Sequence, residues 1–283
     1  MKCRYIFAGF ITWVLRDLLH YRRDVVMTNL ARSFPERKYG ELRQICDDFY
    51  RNMGDTVAEA LWFGRVSSKR LHRERLVEIE DISPLQEIRA KNPNGCIMLD
   101  AHFFNWELMG GFKYYYYRED IPFTLTEHDV LNVYKRLRSK FFDGVFRRNR
   151  LHHIDDLAAY DGYLEESEVV RHIITHRGEG RIYDFKSDQA PGKAASIDIG
   201  EFMHQPTKTL YGGVYLARKY HMSVVYYHVD HDRRGHYTWR FSVMCEDAAT
   251  RTPEDLMREY YDRLQADIER NPSNYLWTHK RWK

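Results

Sequence analysis

One histidine stands where the sequence could support acid–base chemistry. The apolar run 96–101 ends at His102, and Asn105 then offers a helix cap before a second apolar segment begins. We therefore predict a strand-to-helix turn that carries the imidazole. Such turns lie at the carboxyl ends of strands in α/β folds, where substrates usually bind. His102 is thus expected to face a substrate rather than the core.

A carboxylate follows His102 at a spacing that could form a catalytic dyad. Glu107 is expected in the first turn of the helix, where it could accept the Nδ1 proton of His102. Nε2 would then be free to deprotonate a substrate hydroxyl, which could attack an acyl donor. The spacing alone is a weak signal, because roughly two such pairs are expected by chance among 14 His and 41 acidic residues.

Short strands and helices alternate from residue 77 onward and predict the framework around His102. We expect an α/β fold, a mixed sheet flanked by helices, with a helical segment over 1–66 that continues into a core over 67–283. The predicted strands cover 77–79, 96–101, 123–126, 181–185, 224–229 and 237–245; the predicted helices cover 24–33, 39–63, 84–89, 106–117, 130–142, 156–172 and 210–220.

The first helix of the chain could lie on a membrane surface. Its apolar run, 5–15, is shorter than the roughly twenty residues that span a bilayer. Phe7, Phe10, Trp13 and Val14 share one helical face, and arginines follow, a pattern typical of interfacial helices. A helix that packs on the core would show the same apolar face, so this pattern leaves both interpretations open.

The composition and motifs argue against several kinds of site. The 283 residues carry a formal net charge of +3 and 15% aromatic side chains, which suit a membrane interface or an ordinary basic enzyme. The four cysteines form no C-x-x-C pair, and the histidine pairs lack the H-E-x-x-H arrangement, so no metal is predicted. No glycine-rich phosphate motif is present, so we expect no nucleotide cofactor, and no nucleic acid as a partner.

Four segments resemble one protein family in the same order along nearly the whole chain. The segment from His102 to Glu107, H-F-F-N-W-E, resembles the H-F-G-N-W-E motif of the bacterial lipid A late acyltransferases, the lauroyl/myristoyl transferases. Four ordered matches are more specific than one motif. The other three are Tyr21-Arg22-Arg23 with Asn29-Leu30 and Ser33-Phe34-Pro35-Glu36, Ser187-Asp188-Gln189-Ala190-Pro191, and Tyr275-Leu276-Trp277-Thr278-His279-Lys280-Arg281-Trp282.

The resemblance implies a glycerolipid-acyltransferase-like fold and an acyl-transfer reaction. His102 and Glu107 would form the catalytic dyad, and no cofactor would be needed. Acyl carrier protein would supply the thioester, and a lipid A precursor would accept the chain on a hydroxyl group. The protein would work at the cytoplasmic face of the bacterial inner membrane, in contact with the membrane surface.

Substrate-binding residues also follow from the resemblance. The essential arginine of the family corresponds best to Arg138, with Arg136 as the alternative, and would hold a phosphate or the oxyanion. Asp188 would order Arg138, or would only form the turn before Pro191. The predicted substrate-binding or oxyanion residues are Arg138, Asn105, Trp106, Asp188 and Gln189.

Two departures from the family pattern bear on specificity. Phe104 stands where the motif has glycine, and a bulky residue does not readily take the positive φ that glycine allows. Phe104 could therefore alter the turn or narrow an acyl pocket. Met203-His204 replaces the usual Phe-Gly. The acceptor could accordingly be another membrane glycolipid or a lysophospholipid, and a spoiled turn would leave a catalytically silent membrane-surface protein.

Overall fold

A computed structural model describes residues 3–136, 139–192 and 195–282. Helices fill the amino-terminal part, and strands and helices alternate from residue 77. The helices are α1 (Cys3–Trp13), α2 (Arg23–Ser33), α3 (Tyr39–Phe63), α4 (Ser68–Glu74), α5 (Ser83–Lys91), α6 (Lys140–Arg150), α7 (Val169–Thr175), α8 (Gly212–Lys219) and α9 (Pro253–Arg270). The strands are β1 (Val77–Ile79), β2 (Cys96–Asp100), β3 (Val130–Tyr134), β4 (Tyr163–Glu165), β5 (Ile182–Lys186), β6 (Ser196–Phe202), β7 (Gln205–Leu210), β8 (Ser223–Arg233) and β9 (His236–Cys245).

The main sheet has the strand order β1-β9-β8-β2-β5-β3-β4. Neighbouring strands are parallel except β8 and β9, which form an antiparallel hairpin. β2 lies in the middle, and each of its residues is buried because helices cover both faces of the sheet. The predicted mixed α/β fold, a mostly parallel sheet flanked by helices, is confirmed.

The aromatic face of α1 points away from the rest of the protein. Its buried residues include Ala8 and Thr12, which pack against α3. The two helices approach closely at Gly54, where a Cβ atom would lie 2.7 Å from the Ala8 carbonyl oxygen. Phe7, Phe10 and Trp13 are 47–57% exposed, so the interpretation that this aromatic face packs on the core is wrong. No helix in the described ranges is long and apolar enough to cross a membrane.

Two predicted elements are wrong for a shared reason: tertiary partners outweigh local patterns. The predicted helix 130–142 is instead β3, which pairs with β4 and β5, followed by α6 from Lys140. The predicted strand 123–126 is a loop, because the backbone amides of Thr124 and Thr126 donate to the side chains of Gln86 and Asp129.

The remaining differences concern shorter segments. The predicted helix 156–172 contains β4 and only the start of α7, and the predicted helix 210–220 begins at Gly212 because the preceding residues pair in β7. The hairpin of β6 and β7 was not predicted. Its turn uses Met203 and His204 with φ of 51° and 60°, the left-handed conformation that two-residue hairpin loops require. The boundary at residue 66 stays a prediction.

Candidate active site

His102 and Asp188 meet at the carboxyl edge of two paired strands. β2 and β5 are parallel, and Asp100 lies opposite Lys186 in their register. His102 and Asp188 each follow the last residue of their strand by two positions, so the two side chains emerge side by side. This is the edge of a parallel sheet at which ligands usually bind.

The hydrogen bonds of His102 orient its ring, with Nδ1 turned towards a carboxylate and Nε2 towards the side chain of Gln189. Nδ1 lies 2.8 Å from Asp188 Oδ1, to which it donates, and Nε2 lies 3.3 Å from the side-chain nitrogen of Gln189. The Asp188 side chain is only 3% exposed, whereas His102 reaches the surface at 16%. Asp188 can therefore orient the ring from behind while Nε2 faces outward.

The environment of Asp188 favours its ionised form. Burial alone would raise the pKa of its carboxyl group, but the charge and hydrogen bonds of His102, together with backbone amide donors, hold that pKa below its usual value. The carboxylate thus stays negative and would stabilise an imidazolium formed on His102.

The predicted hydrogen bond between His102 and Glu107 is wrong, because His102 bonds to Asp188 instead. Glu107 accepts two hydrogen bonds from Arg150, at 2.7 and 2.8 Å, and one from Trp106 Nε1 at 3.0 Å. The 3-10 helix over Trp106–Tyr114 begins directly after the turn, and the Trp106 ring stands edge-on to the imidazole with centroids 5.0 Å apart. Trp106 therefore contacts His102, and Glu107 binds the arginine behind it.

Arg150 is the charged neighbour that the sequence did not reveal. It ends α6, and Nη1 also donates to the Tyr163 hydroxyl at 3.2 Å. Burial opposes the charged form of Arg150, but the Glu107 carboxylate more than offsets this and raises the pKa of Arg150 above its usual value. Arg138 lies outside the described residues. Arg136 is 64% exposed and pairs with Glu165.

Asn105 holds the turn rather than facing solvent. Its side-chain amide donates to Glu59 Oε2 at 2.9 Å. Glu59 is fully buried on α3 and also accepts hydrogen bonds from the hydroxyls of Tyr5 and Tyr237, each at 2.8 Å. Burial raises the pKa of Glu59, so this carboxyl group depends on all three donors. The residue after the turn is thereby tied to α1, α3 and β9.

Phe104 adopts the left-handed backbone that its position in the motif requires. Its φ is 54°, which costs a non-glycine residue roughly 1–2 kcal/mol. The ring is buried and packs against Phe103, His231 and Tyr237, and this burial offsets the strain. The turn therefore forms without glycine. Phe104 thus gives no reason to expect a catalytically silent protein.

A late segment of the chain completes the turn by pairing with its backbone. The Leu276 amide donates to the His102 carbonyl at 3.1 Å, and the Phe104 amide donates to the Asn274 carbonyl at 2.9 Å. Phe103 and Tyr275 form an antiparallel bridge between these two bonds. The W-x-H-x-R-W ending predicted from the family resemblance thus begins next to the histidine turn.

Two adjacent tyrosines on α9 support the ends of both strands. Tyr260 donates to the carbonyl of Asp100 at 2.8 Å, and Tyr261 donates to the carbonyl of Ser187 at 2.9 Å. Arg281 in turn donates to the Tyr261 hydroxyl at 2.9 Å. These contacts come from distant parts of the sequence, and no spacing rule predicts them.

An apolar groove opens beside His102. It is a shallow depression between α3 and the segment 273–276, with a cavity volume of only about 30 Å³. Trp106, which contacts the imidazole, lines this groove together with Phe104. The lining is mostly apolar and includes Phe49, Met53, Phe104, Trp106, Tyr275 and Leu276.

Comparison with known proteins gives one family. Residues 1–283 match the family described as bacterial lipid A biosynthesis acyltransferase. Two curated relatives, the lipid A biosynthesis palmitoleoyltransferase of Escherichia coli (strain K12) and a lipid A biosynthesis acyltransferase of Shigella flexneri, are each 22% identical to this chain over 272 residues. The matches cover 95% of this chain and 81% of each relative.

Proposed function

This chain belongs to the bacterial lipid A biosynthesis acyltransferases, and from that premise we propose that His102 is its catalytic base and that Asp188 orients it. The protein is an acyltransferase that acts on a lipid A precursor. The observation that carries the proposal is the 2.8 Å hydrogen bond from Nδ1 to a buried carboxylate, which leaves Nε2 as an acceptor near the surface.

The proposed reaction follows from this geometry. Nε2 of His102 takes the proton of an acceptor hydroxyl while the oxygen attacks the carbonyl carbon of an acyl thioester. Asp188 stabilises the resulting imidazolium. When the tetrahedral intermediate collapses, the carbon–sulfur bond breaks, and the thiolate takes the proton from Nε2. The products are an ester and a free thiol, and the base is regenerated.

Gln189 and Glu107 would assist in different ways. The Gln189 amide lies 3.3 Å from Nε2 and donates to it, so an acceptor hydroxyl would replace this amide when it binds to Nε2. Glu107 would act through Arg150, whose guanidinium it holds by two hydrogen bonds. The role predicted for Arg138, binding of the oxyanion or a phosphate, stays a prediction.

The apolar groove beside Trp106 marks where the acyl chain would enter, and its side chains would have to move apart to admit the chain, because the cavity holds only about 30 Å³. Its mostly apolar lining favours a hydrocarbon over the polar acceptor head group. Phe104 closes one side of the groove where the family motif has glycine, so this residue would limit the chain that fits. Replacement of Phe104 by a small residue would then shift the preference towards longer chains.

Acyl carrier protein is our proposed donor. The end of α6 next to Glu107 carries the exposed Arg147 and Arg148, and Lys135 is 80% exposed nearby in the sequence. A basic surface beside the site would attract an acidic carrier protein and steer its thioester towards His102. The same charges would favour a phosphorylated glycolipid.

The exposed face of α1 and the turn after it would rest on the cytoplasmic face of the inner membrane. Six apolar side chains on this surface are 47–62% exposed: Ile6, Phe7, Phe10, Trp13, Leu18 and Leu19. Contiguous apolar residues of this kind are costly in water and typical of interfacial helices. The acceptor, a membrane lipid, would then reach His102 from the bilayer.

The test combines lipid analysis with enzyme assays. Lipid A from cells that lack the gene is compared by mass spectrometry after complementation with wild type, His102→Ala or His221→Ala, an exposed histidine outside the site. We expect wild type and His221→Ala, but not His102→Ala, to restore one acyl chain. Purified wild type should use acyl-carrier-protein thioesters, and His102→Ala should lose activity by a factor on the order of 10³ or more.

The outcomes separate the parts of the proposal. Full activity of a folded His102→Ala variant would contradict the catalytic base. Transfer from acyl-coenzyme A but not from the carrier protein would contradict the donor. A lipid A profile that the gene does not change, with another lipid acylated instead, would replace the acceptor by another membrane glycolipid or a lysophospholipid.

A further inference from the structure

Three side chains that can bind metals converge at the sheet edge opposite His102. Asp161 precedes β4, and His172 and His176 are spaced four residues apart at the end of α7. His172 also contacts Tyr183 near the start of β5, so the cluster lies at the amino ends of the parallel strands. The acyl-transfer proposal makes no use of these residues.

Two separations within the cluster match those between ligands of a tetrahedral ion. Asp161 Oδ2 lies 3.2 Å from Nε2 of His172, with which it forms a hydrogen bond that an ion would replace, and 3.4 Å from Nε2 of His176. Zinc bonds of about 2.0–2.1 Å at tetrahedral angles put neighbouring ligand atoms about 3.3–3.4 Å apart. All three candidate ligand atoms lie within 4.8 Å of one another.

The outer hydrogen bonds of both rings turn their Nε2 atoms inward. Nδ1 of His172 lies 3.1 Å from the Tyr183 hydroxyl, and Nδ1 of His176 lies 3.1 Å from the Glu179 carboxylate. When Nδ1–H of His176 donates to Glu179, its Nε2 lone pair faces the lone pairs of Asp161. A cation between them removes this repulsion. Histidine ligands of metals are commonly oriented by a second hydrogen bond of this kind.

The second oxygen of Asp161 gives an independent indication of a missing partner. Within the described part of the chain, Oδ1 is buried and accepts no hydrogen bond. Nδ1 of His128 lies 3.8 Å from it, close enough to become a further ligand after a small movement. The Arg181 guanidinium, 3.7 Å from Oδ1, opposes a cation, but it also pairs with Glu179 and the His128 carbonyl.

We propose that Asp161, His172 and His176 bind a divalent transition-metal ion, best matched by Zn²⁺, with His128 or a water as the fourth ligand. Two imidazoles and one carboxylate are a ligand set that zinc accepts. The ion would join the segment before β4 to α7 and thereby to β5. Its place opposite the acyl-transfer site gives it a structural role.

The test uses the full chain without a histidine tag, stripped of metal by a chelator and then dialysed. Co²⁺ is the probe, because tetrahedral Co²⁺ absorbs strongly in visible light, and Zn²⁺ is added in thermal unfolding. We expect one equivalent of Co²⁺ with a tetrahedral spectrum, competed by Zn²⁺. The midpoint of unfolding should rise by roughly 5 °C when free Zn²⁺ is a hundredfold above Kd.

Two variants make the result specific. His176→Asn should weaken Co²⁺ binding by at least about tenfold and abolish the rise in midpoint, while its unfolding midpoint in chelator stays near that of wild type. His221→Asn, on the exposed surface, should behave as wild type. Equal binding by wild type and His176→Asn, or a wild type whose midpoint does not respond to 1 mM Zn²⁺, overturns the proposal.

Discussion

At the scale of single residues, the hydrogen bond between His102 and Asp188 predicts that Asp188, rather than Glu107, is the carboxylate needed for catalysis. Asp188→Asn keeps the size of the side chain but removes the charge that holds Nδ1–H. We expect kcat to fall by a factor on the order of 10²–10⁴, with a small change in the unfolding midpoint. Steady-state kinetics on the purified variant, together with a melting curve, check this.

Glu107→Gln serves as the matched comparison, because it changes the other carboxylate of the turn. It leaves the Arg150 guanidinium without its charged partner, so we expect the free energy of unfolding to fall by about 2 kcal/mol. If Glu107→Gln abolished turnover at full stability while Asp188→Asn remained active, a catalytic dyad of His102 and Glu107 would be the better account.

Phe104 allows a second test, because its backbone conformation destabilises the folded protein whereas the burial of its ring stabilises it. Phe104→Ala and Phe104→Gly both remove the ring, and only glycine also relieves the φ of 54°. Alanine is usually the more stable of the two, but here we expect Phe104→Gly to be more stable by about 1 kcal/mol. Urea unfolding of both variants measures the difference. A more stable alanine variant would contradict a strained turn.

The sequence could identify the residues of the site more readily than their contacts. His102 and Asp188 both follow apolar strands and could be named from that pattern. Their pairing depends on the register of β2 and β5, whose first paired residues, Cys96 and Ile182, are 86 positions apart in the sequence. No local spacing encodes this register. Arg150 is the last residue of α6 and belongs to no recognisable motif, so its hydrogen bonds to Glu107 could not be predicted from the sequence.

At the scale of secondary structure, His153 connects three helices, and its protonation makes the free energy of unfolding depend on pH. Its ring, after α6, bonds to the Phe63 carbonyl at the end of α3 and to the Ser68 hydroxyl at the start of α4, each at 3.0 Å. Burial lowers the pKa of His153 from 6.5 to about 4. The unfolded chain therefore binds a proton between these values that the folded protein does not.

This difference makes the junction less stable in acid. Stability from His153 is complete above pH 6.5 and is lost as the pH falls towards 4. Between pH 7.5 and pH 5 the loss should be about 2 kcal/mol. Denaturant unfolding at the two pH values should show this component in wild type and in His221→Asn, but not in His153→Gln. An unchanged pH dependence in His153→Gln would contradict the buried neutral ring.

Helices and strands were predicted correctly where the hydrophobic periodicity is clear, and incorrectly where pairing with other strands determines the structure. α3 is amphipathic over its whole length, and its predicted range 39–63 agrees with the observed helix Tyr39–Phe63. The segment of β3 is equally apolar, but it becomes a strand because β4 and β5 supply hydrogen-bond partners. Which strands lie next to β3 is determined by the tertiary fold, so the sequence of this segment alone does not contain that information.

At the scale of the whole molecule, the apolar surface of α1 predicts binding to lipid vesicles. Replacement of Phe7, Phe10 and Trp13 together by Ser should weaken binding to phosphatidylglycerol vesicles by at least about tenfold, because these exposed rings would enter the interface. Co-sedimentation measures this. The control replaces Leu157 and Tyr215, which are similarly exposed on other surfaces, and should keep full binding.

Two results would contradict this surface as the membrane contact. One is a wild-type protein that stays in solution with anionic vesicles. The other is an equal loss of binding in the control. The triple variant should retain the unfolding midpoint of wild type, since its replaced side chains face away from α3.

The pairing of residues 274–276 with the histidine turn also has a consequence for biosynthesis. A ribosome makes the turn early, but the backbone partners of His102 and Phe104 come about 170 residues later in the order of synthesis. The helix α1 is complete long before those partners emerge. We therefore expect the turn, and with it the site, to be complete only after Leu276 has been translated.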